Sequence, residues 1–386
     1  MIIIYISNYQ HQKRLKAIRL RRPYFPENSI KKIQRDIGNA MRGGRLTLGE
    51  NVSKFEKKFA KFNGSKFGCG VSSATAGLHV ALLSLGIKQN DEVIIPSKTF
   101  ISTANAAIYC NAKPIFCDVQ EDTFQIDPNH VKKLITKKTK AIIPVHIAGN
   151  VCDMKELLEI SNQNNIPIVE DAAHAHGATY YGKKAGSFGR IGVFSFYPDK
   201  VMASADGGMI VTNDSEIYNK TLEFRNVGRK HLGQYDYNVI GYNYRMNELQ
   251  AILLNEQLKL LPSMLKRRKE IAKIYDEQLN IKNLVRQKIQ KFVKSSYYAY
   301  VLRLTKGDLG RLRMKLSKKG IETSPMFTSV YKIKAYRDIL GDTPACKVTE
   351  KLDDQTFTIP LHPGLTDNEI NIVINEIKKN EKIIYC

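Results

Sequence analysis

The 386 residues carry 60 Lys and Arg against 37 Asp and Glu, a formal net charge of +23, and 43% of them are hydrophobic. That length exceeds one small core and suits two packed domains of unequal size. No stretch approaches the ~18 consecutive apolar residues of a membrane span. The apolar run Met1 to Ser7 is short and its charges, Lys13 and Arg14, follow it, which is the wrong order for a secretory signal. Six cysteines (Cys69, Cys110, Cys117, Cys152, Cys346 and Cys386) form no C-x-x-C pair and read as buried or free thiols. A cytoplasmic protein without membrane partner or metal site is expected. The basic residues are scattered in short groups such as Lys132-Lys133 and Lys266-Arg267-Arg268, without aromatic interleaving. They read as a solvated basic surface, with no nucleic-acid partner and a modest preference for anionic ligands.

Residues 1–20 show no clear partner pattern and read as an extension or a loosely attached strand. Apolar spacing predicts helices over 28–42 and 50–62. Thereafter strands and helices alternate. The predicted helices are Ala76 to Leu85, Ile101 to Tyr109, Pro128 to Ile135 and Asp153 to Gln163. The predicted strands are 92–96, 114–118, 141–146, 167–171, 192–196 and 208–212. This pattern argues for a mostly parallel sheet covered on both faces. No G-x-G-x-x-G follows a strand, so a dinucleotide fold lacks its key feature. A Leu- and Lys-rich helix over 247–274, which Pro262 should kink or break, leads to a second domain with a strand at 298–304 and helices at 309–318 and 367–378.

Open α/β sheets bind ligands at strand ends, and reactive groups gather there. Glu170-Asp171 closes one strand, Ser195-Phe-Tyr-Pro-Asp-Lys200 follows another, and Asp206-Gly207-Gly208 precedes a third. A carboxylate and a lysine at one sheet edge suit a cofactor with a basic ring nitrogen and an aldehyde. The carboxylate keeps a pyridinium protonated, and the lysine forms a Schiff base and then shuttles protons, tasks helped by a pKa lowered through burial and nearby positive charge. Alone, an Asp at a strand end is commonly a cap and a loop Lys is commonly solvated.

The run V-E-D-A-A-H-A-H-G-A-T-Y-Y-G-K-K-A-G-S-F-G from Val169, then F-S-F-Y-P-D-K and D-G-G-M-I-V-T-N-D, resembles the DegT/DnrJ/EryC1/StrS family of sugar aminotransferases. Val71 to His79, Asp91 to Pro96 and Gly241-Tyr-Asn-Tyr-Arg-Met246 are similar to further blocks of that family, over about residues 20–380. The resemblance implies an α/β, fold type I, aspartate aminotransferase-like protein. A mostly parallel seven-stranded sheet in a large cofactor domain (21–255) would follow the extension (1–20) and precede a smaller C-terminal α+β domain (256–386). It implies pyridoxal 5'-phosphate on Lys200, Asp171 at the pyridine nitrogen, His174 beside the ring hydroxyl and Phe100 stacked on the ring. Ala74 and Thr75 open a helix whose N–H groups and dipole favour the phosphate, although Ser73-Ala-Thr also reads as an ordinary N-cap. Ser195 would add a hydroxyl. Asn243, with Arg245 nearby, would reach the phosphate of a neighbouring subunit in a homodimer with active sites at the interface.

The implied reaction moves an amino group from L-glutamate to a nucleoside-diphosphate keto-sugar. Gly320 to Phe327 resembles 4-amino-sugar enzymes such as perosamine synthases and leans to a 4-keto-6-deoxy sugar, but Ser324 stands where Arg is common and Met326 replaces a Phe. Alternatives are a transaminase acting on a cyclitol or another keto-ring substrate, such as an aminohydroxybenzoate precursor. A family dehydratase would replace the lysine by His, which Lys200 argues against. A non-enzymatic regulatory or nucleic-acid-binding protein is the rival that the charge motivates.

Overall fold

The computed structural model describes residues 17–341 and 343–385; the Met1 to Ser7 run and Cys386 lie outside them. The strands Lys113–Cys117, Glu92–Pro96 and Thr139–Ile142 lie side by side and parallel. Val169–Asp171, Ile191–Ser195, Gly208–Thr212 and Phe67–Val71 continue across the molecule in that order. The two groups meet where Ile142 pairs with Ile168 and Val145 with Asp171. The result is a seven-stranded sheet in which Gly208–Thr212 alone runs against its neighbours. Successive residues face opposite sides of a strand. Ile94, Ile142, Phe194 and Val211 therefore enter one apolar core, and Val93, Ile95, Val193 and Ile210 enter another.

The helix Ala74–Ser84 starts at Ser73, whose hydroxyl accepts from the Ala76 amide at 3.1 Å. Its Gly77 lies so near the sheet that a Cβ there would stand 2.8 Å from Val193 Cγ1. The strand expected over 141–146 stops at Ile142, because Pro144 has no N–H to donate; the chain re-pairs when Asp171 N donates to Pro144 O at 2.9 Å. The break expected at Pro262 does not occur: one helix runs from Glu248 to Gln278, opened by an Asn247–Gln250 capping box. Leu254, Leu261, Met264 and Ile271 are buried on both sides of the proline. Burying such side chains is worth about 1.5–3 kcal/mol each, enough to offset the ~3 kcal/mol a mid-helix proline costs.

A second sheet, antiparallel, joins Leu284–Arg286, Tyr300–Leu304 and Thr356–Ile359. It carries its own core, with Tyr275, Leu302, Phe357 and Ile374 among its members. Ile18 belongs to the same core and pairs with Ile321, so residues 17–20 are tied down rather than loosely attached.

Candidate active site

Alternation along Val169–Asp171 gives adjacent carboxylates different surroundings. Glu170, fully buried, accepts from the amides of Gly186 (2.7 Å), Phe188 (2.6 Å) and Gly189 (2.7 Å), and His146 Nε2 lies 2.9 Å away. It is saturated and holds the following loop in shape. Asp171 points the other way, into a cavity of about 430 Å³ at the strand ends. Its Oδ2 accepts from Thr103 Oγ1 at 2.9 Å and its Oδ1 from the Ala173 amide at 3.1 Å. Burial raises its pKa above the ordinary aspartate value, against the pull of those two donors.

Lys200 closes the turn begun at Tyr197, whose carbonyl accepts from its amide at 2.9 Å. Its Nζ donates to Tyr298 Oη at 3.2 Å and lies 3.1 Å from Asp199 Oδ1. Burial disfavours the ammonium, but the Tyr298 oxygen and the Asp199 carboxylate outweigh it. The pKa therefore stands above that of an ordinary lysine, opposite to the lowering expected from sequence. His174 stacks on the Tyr298 ring, centroids 4.0 Å apart and planes 10° from parallel. Burial first, then Lys200 and Arg21, hold its pKa well below the usual imidazole range, so the ring is neutral at pH 7.

Ala74, Thr75, Phe100, Asp171, His174, Ser195 and Lys200 all line this one cavity. Asn243 and Arg245 do not. Asn243 is exposed, and the Arg245 guanidinium donates to Asn226 Oδ1 at 3.2 Å. Phe100 is 53% exposed at the rim, against the core position that apolarity alone suggests, with its ring 5.7 Å from that of Phe327. Ser324 instead pairs with Thr358. Arg21, Thr103 and Tyr298 were not singled out from sequence, and Phe327 was named only as the end of the Gly320 to Phe327 segment, without being placed in this cavity. Arg21, Thr103 and Tyr298 come from separate segments without a motif, and only the Tyr297-Tyr298 pair at the head of a strand offered a signal.

The cavity's donor set fits a phosphorylated pyridine aldehyde. At the start of the helix Ala74–Ser84 the amides of Ala74 and Thr75 have no intrahelical acceptor, and both residues line the same space as Ser195. The backbone forming that corner is tightly closed: a Cβ on Gly208 would stand 2.6 Å from Ser73 O and 2.7 Å from Ala74 N. At the other end are a buried carboxylate, a primary amine and His174 Nδ1, which has no hydrogen-bond partner.

Lys98 buttresses one wall. Its side chain is fully buried, and Nζ donates to Phe327 O at 2.7 Å and to Asp353 Oδ1 at 3.1 Å. Asp353 in turn accepts from the amide and hydroxyl of Ser329. Lys98→Met strands that carboxylate and should cost about 3 kcal/mol, read as a lower urea midpoint. Adding Asp353→Asn should recover part of it; a single variant as stable as wild type would show the pair to be idle.

Residues 27–378 match the DegT/DnrJ/EryC1/StrS aminotransferase family. The chain is 37% identical over 335 residues to GDP-perosamine synthase of Escherichia coli O157:H7, covering 86% of this chain and 90% of that one. A chain of Streptococcus pneumoniae assigned as a sugar aminotransferase, solved in its PMP form, superposes with a TM-score of 0.90 at 27% identity. The match covers 96% of this chain and 98% of that one. DesV of S. venezuelae gives a TM-score of 0.88 at 30% identity, covering 94% and 99%. By sequence, fold and donor set alike, this chain belongs to the DegT/DnrJ/EryC1/StrS aminotransferase family, enzymes of fold type I that work with pyridoxal phosphate.

Proposed function

We propose that the protein transfers an amino group from L-glutamate to a nucleoside-diphosphate 4-keto-6-deoxy sugar, and that Lys200, Asp171 and His174 carry the chemistry. The observation behind the site assignment is that Lys200 Nζ and the buried Asp171 carboxylate converge on one cavity whose opposite corner is a helix N-terminus. The sugar reading draws on the GDP-perosamine synthases among the relatives, 32–37% identical over most of the chain.

Pyridoxal phosphate, when bound, supplies an aldehyde and a protonated ring that withdraws electrons from the reacting carbon. The chain's residues do the rest. Asp171, fixed by Thr103 and the Ala173 amide, would pair with the proton on the ring nitrogen. The Ala74 and Thr75 amides and the Ser195 hydroxyl would bind the phosphate, His174 would stand beside the ring hydroxyl, and Phe100 would stack on the ring. Lys200 would hold the cofactor covalently, and as a free neutral amine it would take the proton from the substrate carbon as a general base and return it. Tyr298 and Asp199, which lie within bonding distance of Nζ, would keep the free side chain within the cavity.

We take the working unit to be a homodimer, with Asn243 of one subunit reaching the phosphate of the other. Asn243 is exposed and outside its own chain's cavity, and the nearby Tyr235 and Ile240 are 86% and 90% exposed. We take residues 21–255 and 256–386 as its two domains, and the cytoplasm, where nucleotide sugars are made, as its compartment. Among the described residues no helix is long and apolar enough to cross a membrane.

Incubation with L-glutamate and a panel of nucleotide-linked keto-sugars, followed by mass spectrometry, tests the reaction. The expected product gains an amine at C4 of a 6-deoxy sugar. Amination of a cyclitol and of no nucleotide sugar would replace this reading with its rival.

A further inference from the structure

We propose that Arg21 is the anchor for the α-carboxylate of the amino donor, an inference that rests on the reading of Lys200 as the reactive lysine. Arg21 is the one arginine lining the cavity among the described residues. Its position is fixed through its neighbour: Leu20 N donates to Glu322 Oε2 at 3.0 Å, and Leu20 O accepts from Leu361 N at 3.1 Å. The guanidinium lies over the Tyr298 ring, 4.5 Å from its centroid, while His174 is stacked on that ring at 4.0 Å.

A guanidinium carries five N–H donors in a rigid fork, and one shielded from water seeks anionic oxygens for them. Here that demand is poorly met. Nη1 reaches Asp199 Oδ2 at a long 3.4 Å, Nη2 has only the Met326 sulfur at 3.9 Å, and the buried Nε has no partner. Asp199 is also shared, with Tyr298 Oη donating to the same Oδ2 at 2.8 Å and Lys200 Nζ on Oδ1 at 3.1 Å.

This sharing also sets the spacing. A single carboxylate, Asp199, already touches Arg21 on one oxygen and Lys200 on the other. An α-amino acid whose nitrogen takes the place of Lys200 Nζ therefore carries its carboxylate to within reach of Arg21. There the fork can bind it through two parallel hydrogen bonds. The diphosphate of a nucleotide sugar is an anion of the same appeal, but it is separated from the reacting carbonyl by much of the sugar ring, whereas Arg21 lies one carboxylate away from the lysine.

The test uses the cofactor-loaded enzyme and three probes: L-glutamate, 4-aminobutyrate (glutamate without its α-carboxylate) and GDP. The cofactor's absorbance change on mixing reports the donor half-reaction, and calorimetry reports GDP binding. Arg21→Met should raise the half-saturating glutamate concentration roughly 10- to 100-fold. It should leave the slow reaction with 4-aminobutyrate unchanged, so the preference between the two amines collapses. Cofactor content and GDP affinity should stay at wild-type levels, and Arg21→Lys should recover part of the glutamate affinity. Unchanged glutamate saturation in Arg21→Met overturns the proposal, as does an equal loss for both amines, loss of cofactor, or a matching fall in GDP affinity. A wild-type enzyme inert to every amino acid would instead remove the donor reading on which Arg21's role rests.

Discussion

Lys200→Ala is expected to cut turnover by at least about a thousandfold and to abolish covalent retention of the cofactor. Two losses combine. The lysine that would hold the resting cofactor disappears, and with it the only amine among the described residues lining the cavity that can exchange a proton with the substrate carbon. Lys98, the other buried lysine nearby, cannot substitute. Its Nζ is committed to Phe327 O and Asp353, and it does not line the cavity. Asp171 and the phosphate corner are untouched, so pyridoxal phosphate should still bind, but reversibly and without the visible absorbance of the lysine-bound form. A small primary amine added at high concentration should restore part of the proton transfer. Denaturing mass spectrometry after borohydride reduction gives the check: wild type retains the added cofactor mass and the variant does not. Turnover in Lys200→Ala within tenfold of wild type would remove this residue from the mechanism.

The raised pKa of Lys200 bears on the pH at which the free chain can take up its cofactor. An amine must be neutral to attack an aldehyde, and Tyr298 and Asp199 favour the ammonium. Cofactor capture should therefore quicken with rising pH. The sequence pointed to the reverse because burial alone lowers a lysine's pKa, and the partners that reverse the sign are spread along the chain. Asp199 is adjacent, but Tyr298 comes from the far side of the long helix.

That contrast describes the legibility of the whole molecule. Strands such as Glu92–Pro96 and helices such as Ile101–Tyr109 were legible because their apolar spacing is local. So were Asp171 and Lys200, since each closes a strand or turn next to its motif. Between Glu170 and Asp171 only the family resemblance chose; local pattern alone did not show that the side each faces leaves one saturated by amides and the other lining the cavity. Pro262 misled because helix propensity is local whereas the stripe of Leu254, Leu261 and Met264 is held by tertiary burial. Arg21 was missed for the same reason as Tyr298, and so was Phe327's place in the cavity although its segment was recognised: those roles depend on long-range packing.

Acid should destabilise this enzyme strongly once the pH falls below about 6.5. Burial pushes the imidazole pKa down to about 4 in His79 and His362 and about 3 in His176, and well below the usual range in His174. All four are buried. A histidine whose folded pKa is depressed binds its proton mainly in the unfolded chain. Its stabilising contribution is therefore intact above the unfolded value of about 6.5 and is lost progressively below it. Each costs about 1.4 kcal/mol per pH unit there, so His79, His176 and His362 together remove about 6 kcal/mol by pH 5, and His174 adds to that loss. That is comparable with the whole stability of many proteins. Asp171 works in the opposite direction, because its raised pKa lets the folded state take up a proton first, but it is one group against four. Lys98, with its lowered pKa, changes stability on the alkaline side instead. The urea midpoint of the holoenzyme, followed from about pH 7 to about pH 5, should fall steeply. His176 sits against Phe194 and Phe196, ring centroids 5.4 and 5.6 Å away, so His176→Phe should flatten that fall by about one histidine's share. A midpoint that stays level across this window would mean that these imidazoles are charged inside the folded protein, and the burial argument would fail.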